Sequence, residues 1–247
     1  MAVYINQPTL AANFLAPLRT TYDVTGSSID GGRNGVGEGQ SIEMSGGGIV
    51  TAIYEDCKIK DPEHYEYVNW LGARLNGGYR FINVPIITDW FGPFPKIGRL
   101  PTPIVSGIPH SDGSYFDDGS GYSQATAWGE ITEAAALNAG VIRLKVYGLS
   151  RPLRWSDWFS IYHPTKGWRA YRYWEVLDST EGSDGSGAFT DYQLAIAPPL
   201  REAVTVGTRV EFARPMFVAK FKSDFTLPSV VEAFFVTQQA IQFVEAF

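Results

Sequence analysis

Apolar and polar positions alternate at period two along much of this chain, the pattern of half-buried β-strands. Val141 to Tyr147 is the cleanest case, with Val141, Leu144 and Val146 apolar and Arg143 and Lys145 polar. Val3–Ile5, Tyr22–Thr25, Gln40–Met44, Phe81–Val84, Trp158–Tyr162 and Arg169–Leu177 read as further strands, and Ile49–Tyr54 is a β-branched run. Tyr192–Ala197 is another strand, which Pro198 and Pro199 must stop because neither can donate to a ladder. Gly207 supplies a turn before Thr208–Phe212 resumes β-character. The tail, Val230–Phe247, fits either period, and its Val, Ile and Phe content favours a closing strand. One segment is helical. Tyr65, Val68, Leu71 (or Gly72) and Leu75 recur at helical spacing behind Asp61-Pro62-Glu63, and Asn76-Gly77-Gly78 ends the run. The helix is therefore predicted over 62–75.

Between these elements lie long loops. Gly26 to Gly48 is glycine-rich, and Pro85 to Pro109 holds six prolines together with Trp90, Phe91 and Phe94. That run packs on a neighbouring subunit or folds over the sheet, and the alternative of a self-packed compact loop stands equally. His110 to Gly121 is turn chemistry, and Thr180 to Gly187 is a Ser/Gly/Asp loop. With 26 Gly and 15 Pro as punctuation, the expected fold is mainly β. It is a β-sandwich or barrel with one amphipathic helix and long Pro/Gly-rich loops. A weak boundary in 104–125 divides the chain into β-rich regions 1–110 and 111–247, or leaves it one domain. No internal repeat stands out.

A net charge of -6 argues against general affinity for nucleic acid or anionic membrane. The local basic run with Arg151, Arg154, Lys166, Arg169 and Arg172 reads as a solvated face or a subunit contact. Cys57 is the sole cysteine, so no intrachain disulfide or thiolate metal cage is possible, and folding in a reducing cytoplasm is expected. The first residues lack a signal peptide's basic and apolar regions, and no apolar run approaches a membrane span.

Catalytic signals are weak. His110-Ser111-Asp112 are chain neighbours on a turn, and such side chains diverge. Asp112, Ser114, Asp117 and Asp118 could face a calcium ion, but position twelve of the loop is Ser123 and not the required Glu. His64, His110 and His163 show no zinc spacing, and Gly31–Gly39 lacks the lysine of a phosphate loop. No cofactor, metal or catalytic residue is assigned. Trp128, Trp155, Trp158, Trp168, Tyr171, Tyr173 and Trp174 could serve a sugar platform, though core and subunit packing use such residues more often.

Five pieces of the chain, in order, resemble tail-tip proteins of siphophages, the distal-tail and baseplate family. They are Gly31-Gly32-Arg33 with Gly39-Gln40; Pro109-His110-Ser111-Asp112-Gly113 with Phe116-Asp117-Asp118-Gly119; Arg169-Ala170-Tyr171-Arg172; Pro198-Pro199-Leu200-Arg201 with Gly207-Thr208; and Glu211-Phe212-Ala213-Arg214-Pro215. The first departs from the family pattern by extra glycines. The resemblance implies a structural, non-enzymatic virion protein, made in the host cytoplasm. It implies a homo-oligomeric ring that joins the tail tube protein to the baseplate hub proteins, without specific nucleic-acid binding or membrane insertion. Trp90, Phe91, Phe94, Arg201 and Arg214 are then candidate interface residues, and the glycine-rich loop and C-terminal tail are interface elements. The negative charge is compatible with a conduit for DNA. Two alternatives remain. A carbohydrate-binding tail module would expose coplanar rings such as Trp128 or Trp168. A glycan hydrolase would pair carboxylates across a cleft, from candidates such as Glu130, Asp157, Glu175 and Asp178.

Overall fold

The computed structural model describes residues 3–44, 46–88, 91–228 and 237–247. A short helix, α1 (Ala12–Leu15), precedes β1 (Arg19–Thr25), β2 (Ser28–Arg33), β3 (Gly39–Glu43) and β4 (Ile49–Ile59). Helix α2 (Pro62–Leu75) leads to β5 (Ile82–Pro85). Next come β6 (Lys96–Ile97), β7 (Leu100–Pro101), β8 (Ile104–Ile108) and β9 (Tyr122–Ala125). Then follow β10 (Trp128–Ile131), β11 (Val141–Tyr147), β12 (Trp158–His163), β13 (Gly167–Asp184), β14 (Gly187–Ala197) and β15 (Arg209–Glu211). The last strands are β16 (Met216–Phe221) and β17 (Thr237–Glu245). The protein is mainly β, with a closed barrel and several sheets. Among the described residues no helix is long and apolar enough to cross a membrane.

Two layers hold two cores. The first is a five-stranded antiparallel sheet in the order β1-β4-β17-β16-β5. Helix α2 covers one face with Val68, Leu71 and Leu75, against Val50, Ala52, Tyr54, Phe217, Ile241 and Phe243. The helix has the predicted bounds and its Pro62 start, but the Asp61 carboxylate makes no capping hydrogen bond and lies 3.9 Å from His64 Nε2. At the other end the Asn76 side-chain amide bonds both the N–H and the carbonyl of Leu227, pinning a distant segment to the helix.

The second layer is a closed barrel, β10-β11-β14-β13-β12-β15, completed by pairing of β10 with β15. Alternation decides what fills it. Ile142, Leu144 and Val146 point in from β11, while Val141 lies on the outer face with Arg143 and Lys145 and is 41% exposed. Phe159, Ile161, Tyr171, Tyr173, Leu194, Ile196 and Phe212 complete the interior.

The chain is not shared between the cores as a cut at 110 would share it. β17 pairs with β4, and β16 pairs with β5, so the end of the chain closes the sheet its beginning started. The barrel is inserted between them. The tail strand was expected; its distant partners were not, since short-range pattern carries no pairing information. Residues 230–236 of the expected tail strand lie outside the described residues. Val3–Ile5 forms no strand. Instead Tyr4 stacks on Phe81 at 5.0 Å, and Thr9 bridges Asn83 of β5. Thr180–Gly187 is largely strand, because β13 runs on to Asp184 and Thr180 pairs with Asp191 of β14. Lys145 Nζ and the Tyr147 hydroxyl both reach Asp184 Oδ2, at 2.9 and 2.6 Å, and fasten that hairpin to β11. The Tyr147 hydroxyl, followed by Lys145, holds the Asp184 carboxyl down at about 2.

His163, at the end of β12, is fully buried. The Tyr171 hydroxyl accepts from the Arg201 amide at 3.1 Å and lies 2.8 Å from His163 Nε2. Burial, aided by Arg169 and opposed by Glu202, pushes the His163 pKa down to about 4. The unfolded chain binds this proton near pH 6.5, so the histidine's contribution is complete above 6.5 and is lost as pH falls towards 4. Substituting His163→Gln keeps a hydrogen-bonding side chain and removes the titration. In urea unfolding across that window, wild type should lose about 3 kcal/mol relative to the variant. Parallel curves would show that His163 titrates normally.

Candidate functional site

Four of the five candidate interface residues are described, and they lie in different surroundings. Trp90 lies outside the described residues. Phe91 is 49% exposed, and its carbonyl accepts from the Arg151 guanidinium. Phe94, three residues on, is buried in the barrel core. The Phe94 ring therefore packs into the barrel of its own chain. Arg214 is exposed, and its amide donates to Glu211 Oε1 at 3.2 Å. Of the C-terminal tail, β17 pairs within its own sheet, between β4 and β16.

Arg201 is not a surface anchor. It lies in the seam between sheet and barrel, with its side chain 9% exposed. Glu245, buried on β17, accepts from Arg201 Nε at 3.2 Å and Nη2 at 3.1 Å, and from Arg169 Nη1 at 3.1 Å. The Val50 amide adds a fourth donor at 3.3 Å. Arg169 on β13 also donates to the Ala246 carbonyl at 2.7 Å and to the Lys166 carbonyl at 3.0 Å. Its guanidinium lies 5.3 Å from the ring centres of both Tyr4 and Phe247. Burial lowers the Arg169 pKa, while Glu245 opposes the shift and keeps the charge. Part of the basic run around it is paired as well. Arg143 binds Asp191 and Asp178, Lys145 binds Glu130 and Asp184, and Arg151 holds buried Asp157. These acids offset part of the positive charge that the sequence concentrates there.

Arg201 has a second task. It donates to the carbonyls of Gly46, at 3.2 Å, and Gly48. These glycines form the base of an arm. β2 and β3 prolong the β1–β4 hairpin into a separate two-stranded ribbon. Gly47 and Gly48 adopt positive φ there, and a Cβ on Gly47 would fall 2.1 Å from Pro199 Cδ. All six residues of β2 are exposed. Ile29 and Ile42 face each other across the ribbon at 54% exposure each, and Met44 at its base is also exposed. At the tip the Asn34 carboxamide accepts from the Val36 and Glu38 amides, which holds Val36 out at 86% exposure. The glycine-rich composition signalled a loop here. The alternation of Gln40–Met44 was the only trace of a paired arm.

A second hairpin, β8–β9, ends in two five-residue turns of one design, a repeat the sequence reading missed. His110 N donates to Ser114 O, and Phe116 N to Ser120 O. Asp112 and Asp118 each accept from the amide and hydroxyl of the serine two residues on, which lowers both carboxyls. Each aspartate thus serves its own turn. Nor does His110 meet Asp112 as a base meets its acid: its Nδ1 lies 3.2 Å from the Tyr122 hydroxyl. Trp128 and Trp168 do not present open rings either. Trp128 stacks on Tyr147 at 4.3 Å with Arg209 over it, and Trp168 packs on Tyr162.

No protein-family model matches the chain, and no curated protein matches it.

Two outcomes follow for stability. Glu245→Ala leaves two guanidiniums unpaired, one fully buried, and should cost about 3–5 kcal/mol in urea unfolding. Phe94→Ala should cost about 3–5 kcal/mol by opening a cavity in the barrel, whereas Phe91→Ala should stay within about 0.5 kcal/mol. Equal effects of the two Phe substitutions would mean that Phe94 does not occupy the barrel core.

Proposed function

We propose that this chain is a structural subunit of a phage tail tip, a distal-tail or baseplate protein. It assembles as a ring that joins the tail tube to the central hub, in the virion and without catalysis. The observation that carries the proposal is the β2–β3 arm. A free two-stranded ribbon is at best marginally stable in water. This one nevertheless presents Ile29, Val36, Ile42 and Met44 to solvent on a base held by Arg201. An arm with apolar side chains on one copy and a receiving face on the next is a heterologous contact, the kind that closes rings. Covering the arm would supply the burial its own chain leaves undone.

The acids fit a structural part. Of the four carboxylates considered for glycan hydrolysis, Glu130, Asp157 and Asp178 are each tied to a cation of the same face. A committed ion pair is poorly placed to donate or accept a substrate proton.

Light scattering and negative-stain imaging test the proposal, on the chain alone and mixed with its tail tube and hub proteins. Wild type should form rings of one defined copy number. The double variant I29D/I42D should lose them while its melting temperature stays within about 2 °C, because both side chains are exposed in the single chain. Rings that survive in I29D/I42D would remove the arm from the contact. A wild-type chain that stays monomeric with both partners present would sink the ring itself.

A further inference from the structure

Trp155 and Trp174 are the most exposed tryptophans among the described residues, at 70% and 61%. They line one open groove on the barrel of about 830 Å³, together with Leu153, Arg154, Tyr173 and Glu175. Their indoles are unlike the others. Trp70, Trp128, Trp158 and Trp168 each lie against another ring or under a cation. Among the described residues Trp155 and Trp174 have neither kind of partner, so their faces stay open.

Both are held out by rigid structure. On β13, Tyr173 pairs with Ile196 and Glu175 with Ala195, which leaves Trp174 as the extra residue of a bulge. A bulge re-aims side chains. Here consecutive Trp174 and Glu175 are both exposed on the groove, while Tyr173 stays buried. Across from them, Trp155 rides a turn stapled from below. Asp157, 2% exposed, accepts both Arg151 guanidinium nitrogens at 2.8 Å and the Arg154 amide at 2.7 Å. The Asp157 amide closes the turn on the Arg154 carbonyl at 2.8 Å, and Leu153 anchors it in the barrel core. Rings fixed in advance lose little entropy when they bind.

The rim identifies the occupant. It carries one cation, Arg154, and one anion, Glu175, both exposed, so the groove favours no net charge. Arg154 brings only donors and Glu175 only acceptors, a pair suited to hydroxyl groups. Two open indole faces suit flat, weakly polar C–H surfaces. A pyranose chain offers both in alternation, an apolar ring face and a hydroxyl edge. We infer that the Trp155–Trp174 groove binds a neutral glycan chain, with sugar faces stacked on the two indoles and hydroxyls bonded to Arg154 and Glu175. The site needs no second copy of the chain, so it stands apart from ring assembly.

Isothermal titration of the full chain tests it. Cellohexaose and chitohexaose are the neutral probes, and hexagalacturonate is the anionic control. At least one neutral hexamer should bind. Trp155→Ala and Trp174→Ala should each weaken that binding about tenfold, the equivalent of about 1.4 kcal/mol. Trp155→Phe should retain most of the affinity, and Trp70→Ala, on α2, should change nothing. Light scattering on each sample ties the result to a known mass, monomer or ring. Silence from both neutral hexamers overturns the inference. So does preference for hexagalacturonate, or neutral binding that survives in both W155A and W174A. A mass that falls in W155A with no sugar binding in wild type makes the groove a protein contact instead.

Discussion

A single carboxylate, Glu245, is shared by two guanidiniums across the seam between sheet and barrel. Net stability is not its main consequence, because removing three charges from water offsets much of their attraction. It sets position instead. Glu245 lies on the last strand of the chain, Arg169 on the longest strand of the barrel, and Arg201 on the loop from β14 to β15. Any slip of β17 by one residue would turn Glu245 to the other face and strand a fully buried arginine.

The same cluster reaches outward in two directions. Through the Arg201 amide it touches Tyr171 and so His163, which must stay neutral where it is. Through the Arg201 guanidinium it holds the glycine base of the arm. The seam and the arm's origin thus share one side chain. A part whose arm must meet a neighbour at a set angle gains from such sharing, since the arm itself has too few contacts to set its own direction.

The barrel's outer face is organised differently. Two of its cations, Arg143 and Lys145, are matched by acids on β10, β13 and β14, so part of a run that is basic in sequence is balanced in space. Two indoles stay open on that barrel. Trp155 and Trp174 stand on a stapled turn and a bulge, both of which are backbone devices and leave no periodic trace.

Local pattern carried the β character, the bounds of α2, and the positions of β4, β5, β11, β12, β14 and the first half of β13, because period and turn chemistry act over a few residues; β6 to β10 left no such trace. The β17 region was legible as a strand in the same way. It could not show that β16 and β17 return to the first sheet, that Phe94 turns into the barrel, or that Arg201 turns inward to Glu245. It also could not separate Trp155 and Trp174 from Trp128 and Trp168, since all four are the same residue in β-rich surroundings. Those outcomes depend on which groups meet after the chain has closed on itself. Whether a ring is covered or an arginine is paired is settled by neighbours up to about two hundred positions away, as Val50 and Glu245 illustrate, and only the tertiary structure brings them together.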